Sequence, residues 1–246
     1  MRSRVLIALI AIAFSNCATT SAPKNLFGDS TQLIVVTTPD WDATKGTLTV
    51  HERKNGTWVT VGDAIPVVVG RTGLAWGDGL ALPLRHDGPV KKEGDGKAPA
   101  GLFVLTSLFG YAQSSSAHMP YITATPTVEC VDDVTSPHYN TIVDTQNVHK
   151  TWTSSENMLR RDDLYREGVV VAHNSNPPVS GRGSCIFLHL WSGPDSTTAG
   201  CTAMSSENLA RLTRWLDADR HPLLLQLPQS EFEALRLSNL AQPSIE

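Results

Sequence analysis

The sequence has little basic charge, few cysteines and no apolar run long enough to cross a membrane as a helix. Lys and Arg together number 20 against 24 acidic residues, which gives a net charge of -4. This balance argues against nucleic acid as a partner, because phosphate backbones are bound through clusters of Lys and Arg. The apolar run at residues 5–14 falls short of the roughly 20 residues that a membrane-spanning helix needs.

A basic start followed by a short apolar run is the pattern of a secretory signal peptide. Cys17 follows this region and resembles the lipid-attachment cysteine of bacterial lipoproteins; cleavage near Ala22 is the alternative. We predict a signal peptide over residues 1–17 and a polar tether over residues 18–30. Either cleavage site predicts an exported protein of the periplasm or cell envelope, which a lipid on Cys17 would anchor to the membrane.

The chain contains four cysteines, namely Cys17, Cys130, Cys185 and Cys201. Once Cys17 is lipidated or removed, three remain in an oxidising compartment, and three cannot all pair. We predict that Cys130 pairs with Cys185, or that both are buried, and that Cys201 is the free thiol with chemistry. The alternative is that all three are small buried hydrophobic residues.

Short β-rich runs, separated by Gly and Pro, fill most of the chain from residue 32 onward. Two of these runs flank Asn55 and Gly56, which predicts a β-hairpin. One clear helix follows Cys201, with Ser205 as its N-cap and leucines at helical spacing behind it. The pattern predicts a mainly β fold with a few helices, of the α+β class. Strands are predicted at residues 33–36, 47–51, 58–61, 66–70, 102–105, 141–143, 169–173, 185–191 and 223–227.

His189 lies in a strand-like run, and Cys201 follows a loop of small and polar residues. The thiolate is the reactive form of cysteine, and the ordinary pKa of the thiol is about 8.5. An imidazole and a helix N-terminus both lower that pKa, and this segment predicts both near Cys201. Gly200 leaves backbone amides uncovered, so that they can point at a developing oxyanion. A packed histidine beside a buried cysteine is the alternative interpretation.

Two segments resemble the L,D-transpeptidase family, whose catalytic domain is called YkuD-like. The first runs from residues 187–191 through residues 198–204 and contains the histidine and the cysteine described above. The second, residues 93–103, is similar to the glycine-rich turn that precedes a strand in that family, although an ordinary hairpin loop has the same composition. The resemblance covers residues 31–228, the predicted catalytic domain, and leaves residues 229–246 as a C-terminal tail.

This resemblance implies a β-sandwich-like domain that acts on peptidoglycan stem peptides without a cofactor. Cys201 would be the nucleophile and form a thioester with the third stem residue, His189 would be the general base, and the backbone at Gly200 would hold the oxyanion. An amine acceptor would give a cross-link between two stems. Water as acceptor would make the protein an L,D-carboxypeptidase-type hydrolase. We expect a monomer.

The sequence departs from the family pattern at Ala199, where a second histidine commonly stands two residues before the cysteine. Residues 202–204 differ too, and the interval between His189 and Cys201 is shorter than usual. This departure predicts a divergent branch and leaves the acceptor open. A non-catalytic cell-wall-binding lipoprotein is therefore a further alternative.

His173 and Asn174 end a predicted strand whose partner carries His189, so we predict that this pair binds substrate. A polar strand end that meets solvent is the alternative. The acidic pairs at residues 132–133 and 162–163 have no His or Cys at ligand spacing beside them, so no metal site is predicted.

Overall fold

Runs of branched and aromatic residues form the strands, because such side chains fit the pleated, half-buried surface of a sheet. The computed structural model describes residues 26–84 and 87–238, within which it has fourteen strands and two α-helices. The predicted signal peptide, Cys17 and most of the tether lie outside the described residues. The elements are β1 (Gln32–Thr38), β2 (Lys45–Lys54), β3 (Thr57–Thr60), β4 (Ile65–Val68), β5 (Leu74–Trp76), β6 (Ala98–Gly110), β7 (Tyr121–Thr123), β8 (Val128–Val131), β9 (Ile142–Asp144), β10 (Ser155–Asn157), β11 (Glu167–Val171), β12 (Phe187–Leu190), β13 (Thr202–Met204), α1 (Ser206–Trp215), β14 (Leu223–Pro228) and α2 (Gln229–Ser238).

One large sheet curls back on itself. Its strands follow the order β1–β14–β6–β11–β12–β13–β4–β2, and β2 also pairs with β1, so these eight strands form a closed path. The β1–β14 and β12–β13 pairs are parallel, and the other neighbours on the path are antiparallel. Closure pairs both sides of each of these strands, which leaves no open edge among the eight.

Alternation of side chains directs one set of residues from each of the eight strands into a single apolar cluster. Helix α1 adds its leucines to that cluster, as the helical spacing predicts. Each fully buried aliphatic side chain stabilises the fold by roughly 1.5–3 kcal/mol relative to an exposed one. The cluster includes Ile34, Leu48, Ile65, Phe103, Val169, Leu188, Met204 and Leu224 from the strands, and Leu209, Leu212 and Leu216 from α1 and its end.

The opposite set of side chains is covered in two places. On β1 and β14, Leu33 and Leu225 form a second cluster that Leu235 of α2 joins. On β6 and β12, Phe109 and Phe187 belong to a third cluster, which is shared with a separate three-stranded sheet of order β10–β8–β9. This small sheet and the face that it covers build the wall of the site.

A disulfide joins the small sheet to the segment before β12. Cys130 on β8 is bonded to Cys185, with their Cα atoms 6.0 Å apart. The predicted pairing is confirmed, and Cys201 is free and buried, as also predicted. The cross-link limits the conformations open to the unfolded chain, which favours the folded state.

The coarse prediction from the sequence is confirmed: the fold is mainly β with few helices, of the α+β class. Asn55 and Gly56 form the hairpin turn between β2 and β3 with φ of 53° and 86°. Ser205 caps α1 by accepting a hydrogen bond from the Asn208 N–H at 3.3 Å. The limits of the predicted domain at residues 31–228 stay a prediction. No helix within the described residues combines the length and apolar character needed to cross a bilayer.

Candidate active site

A cavity of about 330 Å³ is lined by residues of both sheets. Three of the predicted site residues, Cys201, His189 and Gly200, line it. The small sheet contributes Glu156 from β10 and Asp132 from just after β8. The other charged side chains of the lining are Arg71, Lys91, Glu93 and Arg160.

The register of two parallel strands brings the predicted nucleophile and base to one wall. Leu188 on β12 lies opposite Thr202 on β13. Because successive side chains of a strand point to opposite faces, the next residue on β12 and the preceding residue beside β13 share the other face. His189 and Cys201 therefore project from the same side of neighbouring strands. The loop between β12 and β13 connects the two residues along the chain.

Backbone groups hold the Cys201 thiol. Its sulfur accepts a hydrogen bond from the Phe187 N–H at 3.3 Å, and the thiol donates to the Cys185 carbonyl oxygen at 3.5 Å. The residue is 6% exposed. Burial, followed by the charge on Glu156, raises the pKa of Cys201 to about 12. In this resting arrangement Cys201 is a neutral thiol at pH 7.

The expectation that a helix N-terminus lowers the Cys201 pKa is therefore wrong for this arrangement. Strand β13 separates Cys201 from α1, which begins at Ser206. The field of a helix terminus falls off within its first turn, so it does not reach the sulfur strongly. The hydrogen bond from the Phe187 N–H favours the thiolate, but the one to the Cys185 carbonyl needs the thiol proton. Burial outweighs the first of these bonds and decides the direction of the shift.

His189 is oriented by its own backbone neighbour. Its Nδ1 lies 2.7 Å from the Leu190 carbonyl oxygen. A carbonyl can only accept, so Nδ1 carries the proton and Nε2 carries the lone pair that a base needs. Burial lowers the pKa of His189 to about 4, which makes the imidazole neutral at pH 7. The Tyr165 ring packs edge-on against the imidazole with 5.1 Å between centroids.

Cys201 and His189 line the same cavity, but the hydrogen bonds found in the described residues do not include one between them. A nucleophile and its base are often poorly aligned before substrate binds. The assignment of Cys201 as nucleophile and His189 as base stays a prediction.

Gly200 packs closely against the backbone of Lys97. Its φ is not positive, unlike that of ten other glycines in the described residues. A Cβ added at this position would lie 3.1 Å from the Lys97 carbonyl oxygen, which leaves little room for any side chain. The Gly200 N–H donates to Thr198 Oγ1 at 3.1 Å. That bond would have to give way for this amide to hold an oxyanion, and the oxyanion role of Gly200 stays a prediction.

His173 and Asn174 are buried and hold the loop between β11 and β12. His173 Nδ1 accepts from the Asp78 N–H at 3.2 Å, and its Nε2 donates to the Arg182 carbonyl oxygen at 3.0 Å. The Asn174 amide donates to two carbonyl oxygens of the loop, at 2.9 and 3.0 Å. Neither residue is part of the cavity lining given above. Substrate binding by this pair stays a prediction, and these contacts favour a structural role instead.

Sequence reasoning missed Tyr165 and Glu156. The Tyr165 hydroxyl donates to the Glu156 carboxylate, and both residues line the cavity. Burial is the largest cause that raises the pKa of each group. Tyr165 precedes β11 and Glu156 lies in a polar stretch, and neither position has a local pattern that predicts contact with the other or with Cys201.

Among the described residues, one group of side chains has the spacing of metal ligands: His118, Asp217 and Asp219. It lies outside the cavity lining, and His118 is largely exposed. The hydrogen bond between His118 Nδ1 and Asp217, at 2.8 Å, accounts for the grouping without an ion.

The fold and the cavity, taken with comparisons to known proteins, define a transpeptidase- or peptidase-type enzyme of the cell wall. The model of the L,D-transpeptidase catalytic domain, YkuD, matches residues 40–223. The chain belongs to this family. Comparisons with curated proteins and with solved structures found no match. The matched segment contains every residue of the cavity lining.

Proposed function

We propose that the protein is an exported L,D-transpeptidase that acts on peptidoglycan stem peptides through a thioester on Cys201. The observation that carries the proposal is one cavity wall with a free cysteine and a neutral histidine whose Nε2 holds a lone pair. Membership of the family supports a cell-wall substrate. The pattern of the amino terminus supports export, and a lipid on Cys17 would add a membrane anchor.

In the first half-reaction, His189 Nε2 takes the thiol proton while Cys201 Sγ attacks the carbonyl carbon of the third stem residue. A C–S bond forms, and the carbonyl electron pair moves onto oxygen, where backbone amides near Gly200 would stabilise the charge. The C–N bond to the terminal D-amino acid then breaks. Its nitrogen receives the proton from the imidazolium, and the thioester remains.

In the second half-reaction, an amine of another stem attacks the thioester carbonyl. The nitrogen gives a proton to His189, a new C–N bond forms, and the C–S bond breaks. The sulfur recovers its proton from the imidazolium, which restores the resting pair. Because both members of that pair are neutral at rest, their ions form together and attract each other in a poorly solvated site.

Hydrolysis of the same thioester is the second candidate function. Ala199, which occupies the position of the second family histidine, lines the cavity and has a smaller side chain than histidine. Water entering there would release a shortened stem, as an L,D-carboxypeptidase-type hydrolase does. A non-catalytic wall-binding lipoprotein is the third candidate, and the shared wall of Cys201 and His189 argues against it.

The test is incubation of the purified protein with disaccharide tetrapeptides and analysis of the products by liquid chromatography and mass spectrometry. Dimers joined through the third residues of two stems are the expected result. Shortened monomers without such dimers would replace the transferase by the hydrolase. No turnover by the wild type, together with products identical to those of Cys201→Ala, would overturn both enzymatic functions.

A further inference from the structure

The small sheet brings to the cavity a carboxylate that the proposed mechanism does not use. Glu156 on β10 lies opposite Cys130 on β8 in the register of the small sheet. Cys130 is disulfide-bonded to Cys185, whose carbonyl oxygen accepts the Cys201 thiol. Sheet pairing and a covalent bond thus fix Glu156 relative to the sulfur.

Tyr165 joins this carboxylate to the reactive pair. Its ring is held edge-on between Phe187, at 5.5 Å, and His189, at 5.1 Å, and the Arg160 guanidinium lies 4.8 Å from the ring centroid. These contacts leave the ring little freedom to turn away, since buried side chains interdigitate closely. Its hydroxyl reaches the Glu156 carboxylate as a hydrogen-bond donor.

The Tyr165 hydroxyl has a single proton, and two groups compete for it. The carboxylate of Glu156 accepts that proton in the resting arrangement. Tyr165 and Cys201 belong to one buried cluster and line the same cavity. A hydrogen bond donated by this hydroxyl to the sulfur would favour the thiolate form of Cys201, whereas the charge on Glu156 disfavours it. A hydroxyl that donates to the carboxylate cannot donate the same proton to the sulfur.

We propose that Glu156 is a positioning residue for Cys201. While ionised, Glu156 holds the Tyr165 hydroxyl in a hydrogen bond to its carboxylate. Its negative charge also disfavours the thiolate, so that Cys201 stays an unreactive thiol. When a proton or a substrate group neutralises Glu156, the Tyr165 hydroxyl becomes free to donate a hydrogen bond to the sulfur, which stabilises the thiolate. The inference rests on the proposed role of Cys201 as the nucleophile, but it concerns thiol reactivity and not transpeptidation.

Several other charged groups surround the Glu156 carboxylate. Burial and then the charges on Asp132 and Glu93 raise the pKa of Glu156, and Tyr165 and Arg160 lower it. Arg160 also pairs with Asp162 at 2.5 Å, and Lys91 pairs with Asp95 at 2.6 Å. The remaining titratable or charged groups of the cavity are Arg71, His189 and Cys201.

The experiment measures alkylation of Cys201 by iodoacetamide in the full chain, as a function of pH, on the Cys201-containing peptide by mass spectrometry. For Glu156→Gln we expect the pH midpoint of the rate to fall by about one unit, which is about tenfold in thiolate at a given pH below the midpoint. Glu156→Asp keeps the charge and should stay closer to the wild type. A merely structural role would lower the melting temperature without moving the midpoint.

Two further variants make the result specific. Tyr165→Phe keeps the ring contacts and removes the hydroxyl, so Glu156→Gln added to it should move the midpoint by less than it does in the wild type. Asp144→Asn, on β9 at the other edge of the small sheet and outside the cavity lining, is the matched control and should have no effect. Should Glu156→Gln fail to fold, the proposal is tested with Tyr165→Phe, which must differ from the wild type in midpoint, while the charge-conserving Glu156→Asp stays closer to the wild type and Asp144→Asn has no effect.

An unchanged midpoint in Glu156→Gln, or an equal shift with and without the Tyr165 hydroxyl, would overturn the positioning role. Neither result would bear on the proposed function, which is judged from muropeptide products. Conversely, a protein that forms no muropeptide products can still show the predicted alkylation profile.

Discussion

Two buried histidines, His189 and His173, put the same side chain to different uses. Burial lowers the pKa of each to about 4, so both are neutral at pH 7. His189 binds one carbonyl through Nδ1 and, among the described residues, makes no second hydrogen bond. His173 engages both ring nitrogens with backbone groups of two different loops. Burial alone therefore does not identify a base. We propose His189 and not His173 as the base because His189 lines the cavity and its Nε2 is unshared among the described hydrogen bonds.

The surroundings of the two rings reinforce this difference. Backbone packs closely onto both nitrogens of His173: a Cβ added to Gly77 would lie 2.9 Å from Nδ1, and one added to Gly183 would lie 3.0 Å from Nε2. His189 instead has the Tyr165 ring at its side and the cavity in front. Hydrogen bonds of His173 connect two loops, whereas His189 is buried at the wall of the cavity.

Removal of the basic nitrogen of His189 should have the largest effect. The variant His189→Gln keeps a polar side chain in the same volume but has no basic nitrogen. The rate of Cys201 acylation by a stem tetrapeptide, measured in single-turnover experiments, should fall by roughly 10²–10⁴. A rate close to that of the wild type would mean that His189 is not the base, and the proposed difference between His189 and His173 would then be wrong.

Removal of the imidazole of His173 should affect stability and leave chemistry in place. His173→Gln loses at least one of two buried hydrogen bonds, which should lower the free energy of unfolding by about 1–3 kcal/mol. Urea unfolding measures this change, and the acylation rate at saturating substrate should stay close to that of the wild type. Normal stability combined with weakened substrate binding would instead support the substrate role that the sequence predicts for His173 and Asn174.

The smallest expected effect concerns pH. The difference in free energy of unfolding between the wild type and His173→Gln should decrease as the pH falls. The folded-state pKa of His173, about 4, lies below the unfolded value of 6.5. The unfolded chain therefore takes up its proton first, and the stability present above pH 6.5 is lost as the pH falls towards 4, by up to about 1.4 kcal/mol per pH unit. The variant has no imidazole at residue 173, so its free energy of unfolding does not include this decrease. Urea unfolding at pH 7 and pH 5 checks the expectation, and a gap that does not shrink would mean that His173 takes up its proton in the folded state as readily as in the unfolded chain.

Local features of the fold were predictable because their causes are local. Asn55 and Gly56 tolerate positive φ, Ser205 can accept from a helix amide, and leucine spacing reports the buried face of α1. Counting thiols in the predicted oxidising compartment indicated that three cysteines cannot all pair, and the Cys130–Cys185 bond with a free Cys201 is one of the alternatives that the sequence left open. Each of these features depends on residues close together in the sequence or on the number of residues of one type.

Features that depend on distant pairing were not predictable. Closure of the large sheet requires β2 to pair with β1 and β4 at once, and no local pattern specifies that. The same holds for the contact of Tyr165 with Glu156 and for the strand that separates Cys201 from α1. Because that strand was missed, the sequence led us to expect a lowered thiol pKa, where burial raises it.

The central claim, that Cys201 is the nucleophile, is tested most directly by covalent labelling with a carbapenem, a β-lactam that acylates the reactive cysteine of this family. Wild-type protein should gain the mass of one reagent molecule, with the adduct on the Cys201-containing peptide, and Cys201→Ser should gain none there. Absence of the adduct on wild type, under conditions in which an active member of the family is labelled, would contradict the account.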